Sequence, residues 1–288
     1  MLASSVFEII LVLIASTAVV FYSGKTSYIL RKVNEVIHGK PGCVPSPSVG
    51  NVTLHYFSVR GRAEPIRMMM IEAGIPFTEK NFNKATWPSH KEAGINSGLY
   101  TYGQVPAVET NTGLKMVQTQ AILHYIGRSA GMDCDCEDLY KCEALALGVE
   151  DARSKLSRML YDPNFSFADR DEYLKKTMPL WLGYIEQQAP PLAKQEQAFF
   201  YSSRLTWVDF LVFDLLENNI EFAHYDFGNS NTTYIVDIDV LAQLPRLANF
   251  YRHFSGRPRL SAYLRGGKRR FKYTIPNQPK AQPRTEKQ

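Results

Sequence analysis

The sequence predicts a mixed α/β domain followed by an all-helical one, with a membrane-spanning helix ahead of both. Three observations carry this. Residues 52–130 show strand–helix–strand and then strand–strand–helix patterns. From Asp135 onward only helical periodicity appears. Met1 to Gly24 is apolar and carries a single charge, Glu8. With 288 residues, 45% of them apolar and 21% charged, the chain can build two folded domains. Its net charge of +5 is modest and arises partly at the ends. The interior has no stripe of Lys and Arg with interleaved aromatics, so nucleic acid is not an implied partner. No internal repeat is present.

The N-terminal segment, 1–24, reads as a single-pass anchor. It reaches across a ~30 Å hydrocarbon core if Leu2 to Phe7 joins the uncharged run from Ile9 to Gly24. Lys25, Arg31, Lys32 and Lys40 follow it, which orients the body toward the cytosol. The alternatives are a cleaved signal peptide with Ser16-Thr17-Ala18 as its small-residue site and a secreted product, or a buried helix of a soluble protein. Residues 25–51 form a linker; its end, HGKPGCVPSPSVGN, is too rich in proline and glycine for a regular element.

The body begins at Val52. Val52 to Phe57 alternates as a strand. Gly61 permits a sharp turn, and Pro65 suits the first turn of a helix with apolar positions at Ile66, Met69, Met70 and Ala73. Gly74 and Pro76 end that helix. Phe77 to Phe82 is a second strand. Val105–Val108 and Leu114–Val117 flank Asn111-Thr112-Gly113, a hairpin signal. Thr119 opens a helix to about Ala130, closed by Gly131. This order is that of a small thioredoxin-like domain, 52–132. The helical domain, 133–276, is predicted to hold helices over 139–161, 169–188, 206–223, 238–254 and 258–264, with a disordered tail over 277–288.

The stretch YFSVRGRAEPIR sets a tyrosine and two arginines at a strand–helix corner. With YGQVPAV, QTQAILHYIGR, GVEDARSKLSRMLY, LTWVDFLVFDLL and FSGRPRLSAYL it falls in a familiar order. From Val52 to about Pro276 the chain resembles the cytosolic-type glutathione transferases, with a pi-class pattern and sigma-class flavour around Trp87. That resemblance implies glutathione as co-substrate; that no metal is expected follows from the cysteine spacing below. A free thiol has a pKa of ~8.5, so something must stabilise the sulfur anion at neutral pH. Tyr56 resembles the family's catalytic tyrosine, a neutral hydroxyl that donates to the sulfur.

The same resemblance places Arg62, Trp87 and Lys91 at the glycine end of glutathione. Gln104 and Val105 precede Pro106, which matches the family's cis-proline; a cis bond there would present the Val105 backbone to the tripeptide. Gln118 and Thr119 match the pair that holds the γ-glutamyl end at a helix N-terminus. Asp151 resembles an acid that reaches across a homodimer to the γ-glutamyl amine. Phe57, Val59 and Tyr161 match positions of an apolar second-substrate pocket. Tyr102 resembles an aromatic key inserted into the partner subunit, with Tyr100 as a competitor for that part. Arg60 reads as structural. Thr206 and Asp209 match a capping box that serves folding.

Several positions depart from the family pattern. The stretch between Trp87 and Gly103 is a few residues longer than the pi pattern. Thr119 replaces a serine, Ser58 a proline, and Ser202-Ser203 a Gly-Asp turn. The 219–243 stretch is additional. Cys134, Cys136 and Cys142 lack a second ligand pair at zinc spacing. They are free thiols in a cytosolic body, or disulfide candidates in a secreted one. Asn51, Asn164 and Asn231 begin formal glycosylation sequons.

The sequence therefore points to a membrane-tethered transferase joining the glutathione thiolate to apolar electrophiles. An isomerase or peroxidase that uses the same thiolate, for example on a prostaglandin endoperoxide, is one alternative. A non-catalytic ligand-binding module is the other.

Overall fold

Strand β1, Val52–Phe57, occupies the interior of a four-stranded sheet. Its Leu54 and His55 are fully buried. A 3-10 turn, Gly61–Ala63, leads into helix α1, Glu64–Ala73, which ends on Gly74 at φ +68°. Strand β2, Phe77–Phe82, pairs parallel to β1. Helix α2, Trp87–Asn96, follows. Strands β3, Ala107–Thr110, and β4, Lys115–Val117, then complete the sheet antiparallel, in the order β2-β1-β3-β4. Helix α3, Thr119–Ser129, packs beside α1. This is a thioredoxin-like arrangement. The computed structural model describes residues 48–192, 198–225, 227, 239–267 and 269.

Periodicity did not announce α2. Most of its residues are exposed and Gly94 is its buried point, so it carries no apolar stripe. Local chemistry starts it instead. The Thr86 N–H donates to Asn83 Oδ1 at 2.8 Å, the Asn83 N–H to Thr86 Oγ1 at 3.2 Å, and Pro88 sits in the first turn.

The helical part consists of α4, Leu139–Tyr161; α5, Phe167–Glu172; α6, Met178–Gln188; α7, Trp207–Ala223; α8, Pro245–Ser255; and α9, Pro258–Arg265. Helix α7 is the centre. Trp207, Phe210 and Phe213 are buried along it, and it touches α1, α3, α4 and α8. A capping box holds its start. The Thr206 N–H and hydroxyl donate to Asp209 Oδ2 at 2.7 and 2.9 Å, and the Phe200 N–H donates to Asp209 Oδ1 at 2.9 Å.

Two helix expectations needed correction. The helix predicted over 169–188 is broken by a π turn, Tyr173–Thr177, ahead of Pro179. Proline has no N–H to return to Lys175 and its ring crowds that carbonyl, so the ladder widens there. The helix predicted from residue 238 begins at Pro245, whose ring keeps Leu244 out of the helical region at φ −129° and ψ 64°. Residue 238 of that expectation lies outside the described residues.

The single-pass membrane location predicted from the sequence is also corrected. Among the described residues, no helix is long and apolar enough to cross a membrane. The 1–24 segment itself lies outside the described residues. The physical weakness of that reading is its length. The uncharged run from Ile9 to Gly24 rises only about 24 Å as a helix, short of a ~30 Å core, and the rest required Glu8 inside the span. The free-thiol reading of the cysteines is corrected too. Cys134 and Cys142 are joined by a disulfide with an S–S distance of 2.05 Å, and Cys136 is disulfide-bonded as well.

Candidate active site

The site forms where β1 gives way to α1. Gly61 turns the chain at φ +44°, a left-handed conformation that costs glycine little. A Cβ at that position would stand 2.5 Å from the Tyr56 hydroxyl oxygen, so only glycine lets the ring lie against the turn. The Arg62 backbone N–H donates to that hydroxyl at 3.0 Å. Tyr56 is 8% exposed. Burial raises its pKa above the ordinary tyrosine value, while the Arg62 amide and the Arg153 charge pull the other way. The hydroxyl therefore keeps its proton at neutral pH. With one lone pair occupied by an amide, it remains a donor.

Two cavities meet at this turn, and Arg62 lines both. The larger, ≈ 770 Å³, brings together Phe57, Arg62, Trp87, Gln104, Val105, Pro106, Gln118 and Thr119. The Val105–Pro106 peptide is cis. Gln118 has φ +74°, unusual for a non-glycine residue and costly by about 1–3 kcal/mol. It introduces α3, whose first turn lines the cavity through Thr119, Gln120 and Ala121. Unpaired N–H groups of a helix start suit an anionic ligand group.

Arg62 is engaged by a partner on the helical domain. Its guanidinium grips Glu150 of α4 in two parallel bonds of 2.7 and 2.6 Å. The Thr119 hydroxyl donates to the Arg62 carbonyl at 3.1 Å. Arg62 thus shares the cleft wall with both Thr119 and Trp87, and its carbonyl is tied to the start of α3. Trp87 packs with Phe57, Phe82 and Tyr100, at ring distances of 5.5, 5.3 and 5.6 Å. Lys91 is exposed on α2, its stem against Gly103, and is absent from the cleft wall. Asp151 is exposed on α4 and is likewise absent from that wall; its neighbour Glu150 lines it. Sequence reasoning missed Glu150, although GVED offered two acids side by side.

The smaller cavity, ≈ 300 Å³, contains Tyr56, Val59 and Tyr161 with Leu156, Leu160 and Leu215. Phe57, expected there, lines the larger cavity instead. This follows from strand alternation, which turns the side chain after Tyr56 to the opposite face. The smaller cavity is also more polar than expected. Arg60, Arg62, Arg153, Ser157 and Asn218 complete it. Arg60 pairs with Glu221 of α7. Tyr102 is 67% exposed, whereas Tyr100 is buried with its hydroxyl 2.9 Å from His55 Nδ1. That buried bond makes Tyr100 a core residue. Among the described residues no cluster of three or more metal-ligating side chains is found.

The glutathione S-transferase N-terminal domain family matches residues 52–128, and its C-terminal domain family matches residues 150–266. The chain belongs to the glutathione S-transferase family. It is similar to glutathione S-transferase P 1 of Xenopus laevis, at 27% identity over 79% of this chain and 98% of that one. It is similar to glutathione S-transferase Mu 1 of Oryctolagus cuniculus, at 28% identity over 75% of this chain and 92% of that one. Among solved structures, the pi-class glutathione S-transferase of Onchocerca volvulus superposes with a TM-score of 0.61 at 24% identity, covering 74% of this chain and 91% of that one. Prostaglandin synthase D of Nilaparvata lugens superposes with a TM-score of 0.59 at 21% identity, covering 74% and 96%. At these identities the solved structures share the fold of this transferase family member and say nothing finer.

Proposed function

We propose that the protein conjugates the thiolate of reduced glutathione to apolar electrophiles. The observation that carries this reading is the Tyr56 hydroxyl, buried, protonated and fixed by the N–H of Arg62, the residue that lines both cavities. Glutathione lies in the larger cavity, with its γ-glutamyl carboxylate at the first turn of α3, beside Gln118 and Thr119. Arg62 and Glu150 flank that end with opposite charges. Trp87, Gln104, Val105 and Pro106 line the rest of the cleft. Tyr56 donates to the sulfur, which lowers the thiol pKa and holds the thiolate in place. The sulfur forms a bond to the electrophilic carbon of a molecule held against Val59 and Tyr161. The electron pair leaves with a departing group or is taken up with a proton.

The same reading makes the protein a homodimer. An apolar groove of ≈ 350 Å³ between α4 and α6, walled by Tyr140, Ala144, Trp181 and Tyr184, receives Tyr102 of a second copy. In that assembly Asp151 reaches the γ-glutamyl amine of the neighbouring site.

The test is a thiol-conjugation assay on the full chain with a panel of electrophiles, peroxides and endoperoxides. Replacement of Tyr56 by Phe is expected to lower the conjugation rate roughly tenfold to a thousandfold while leaving glutathione affinity nearly unchanged. Turnover restricted to peroxides or endoperoxides replaces conjugation with the peroxidase or isomerase reading. Binding of glutathione without any turnover makes the protein a ligand-binding module.

A further inference from the structure

The second-substrate cavity holds a buried cation that the tyrosine chemistry has not used. Arg153, on α4, lines the same ≈ 300 Å³ cavity as Tyr56. Its side chain is 12% exposed and pairs with Asp214 of α7, which is 3% exposed. Asp214 also accepts from Asn218 Nδ2 at 3.0 Å, and Asn218 stands in the cavity wall. Burial alone would lower the Arg153 pKa, but Asp214, with smaller help from Glu150 of α4 and from Tyr56, more than reverses this, and the guanidinium stays charged. The cation is therefore permanent, its counter-ion sits on the α7 side, and its open side faces the cavity that Tyr56 enters.

We propose that Arg153, clamped by Asp214, is the positioning residue of the Tyr56 hydroxyl and aims its proton at the sulfur of bound glutathione. A phenol oxygen has one proton and two lone pairs. The Arg62 N–H occupies one lone pair at 3.0 Å. A nearby guanidinium attracts the oxygen's remaining negative side and repels its proton. The O–H then points away from both positive groups, into the space left for the thiolate. The same charge stabilises the thiolate from a second direction. Asp214 sets its strength, because a paired cation projects a weaker field than a bare one. The charged and titratable groups acting on Tyr56 are Arg62 of the turn and Arg153 and Tyr161 of α4.

This inference rests on the conjugation reading, and one measurement separates the two. The ionisation of glutathione bound to the full-length protein is followed by thiolate absorbance across pH. The forms compared are the wild type, Tyr56→Phe, Asp214→Asn and the neutral pair Arg153→Gln with Asp214→Asn. If the wild type forms no thiolate, or Tyr56→Phe matches it, the conjugation reading fails, whatever Arg153 does. If both behave as expected, the Arg153 variants decide. Asp214→Asn unshields the cation and is expected to raise the thiolate fraction at a fixed pH by roughly threefold to tenfold. The neutral pair is expected to lower it by a similar factor. Opposite shifts are the signature, since a merely structural role moves both variants the same way. Shifts of the same sign, or none in either, overturn the proposal. Circular dichroism checks the fold. If the neutral pair does not fold, Arg153→Lys, which keeps the charge on a smaller head, supplies the comparison and is expected to track the wild type. A lower or unchanged thiolate fraction in Asp214→Asn then overturns the proposal.

Discussion

The Tyr56 hydroxyl oxygen and the Arg62 backbone N–H stand 3.0 Å apart, with the Cα of Gly61 tucked beneath the tyrosine ring. Three residues thus form one device. Gly61 supplies the space, Arg62 supplies a donor that fixes the oxygen, and Tyr56 supplies the remaining proton.

The first prediction follows from the space. Gly61→Ala puts a methyl 2.5 Å from the Tyr56 hydroxyl oxygen and 2.9 Å from its Cε1, on a backbone held at φ +44°. The backbone alone costs about 1–2 kcal/mol for an L-residue. The tyrosine must also shift. The conjugation rate is expected to fall by about tenfold or more, comparable with loss of one donor to the anion. A variant with wild-type rate and thermal stability would show that the ring is not held by the turn.

The second prediction concerns assembly. Tyr102 is exposed, and so are Tyr140 and Tyr184 of the α4–α6 groove. Tyr102→Ala is expected to shift the protein from dimer to monomer in sedimentation velocity, with helical content retained. Asp151→Asn is expected to keep the dimer but weaken glutathione binding in calorimetry. An unchanged sedimentation coefficient for Tyr102→Ala removes the key role. An unchanged affinity for Asp151→Asn removes the reach across subunits.

The third prediction tests the α7 cap. Asp209 is fully buried, and burial pushes its carboxyl pKa up to about 7 against three donors that favour the charged form. Asp209→Ala leaves the Thr206 and Phe200 N–H groups and the Thr206 hydroxyl without their acceptor inside the core. At about 1–3 kcal/mol for each unsatisfied buried group, the loss in urea unfolding is expected to reach roughly 3 kcal/mol. A loss well under 1 kcal/mol would mean that the donors find other partners.

The fourth prediction is a pH dependence. His55 is fully buried between the Tyr100 hydroxyl, 2.9 Å from Nδ1, and Glu109, 3.0 Å from Nε2. Burial lowers its pKa below the usual 6.5, with Glu109 partly opposing. The unfolded chain takes up a proton near pH 6.5, while the folded protein resists until lower pH. The stability contributed by this residue is therefore fully present above about pH 6.5. It is lost as pH falls from there toward the lowered folded value. His55→Gln is expected to flatten the unfolding free energy across that window; the same slope in both proteins would assign the acid sensitivity elsewhere.

Much of this was legible in the sequence because it is local. The strands β1 and β2, the helix α4 and the capping box follow from periodicity and from residues three or four apart, whose energetics need no distant partner. The same was true of Tyr56, since a strand end, a glycine turn and a proline-opened helix fix it within ten residues. Helix α2 was less legible because its signals are a turn and a proline rather than an apolar stripe.

The tertiary structure decided what depends on segments far apart in the chain. Arg62 alone suggests any carboxylate; only the packing of α4 against the turn gives it Glu150, eighty-eight residues away. Arg153 and Asp214 each look like ordinary helical surface charges in sequence, and only the contact of α4 with α7 buries them together beside Tyr56. Tyr100 and Tyr102 are two residues apart and chemically alike, yet a buried bond to His55 draws one into the core and leaves the other in solvent. The physical reason is the same in each case. Periodicity records which residues prefer burial, whereas the partner that makes burial of a charge or hydroxyl tolerable is chosen by the three-dimensional packing.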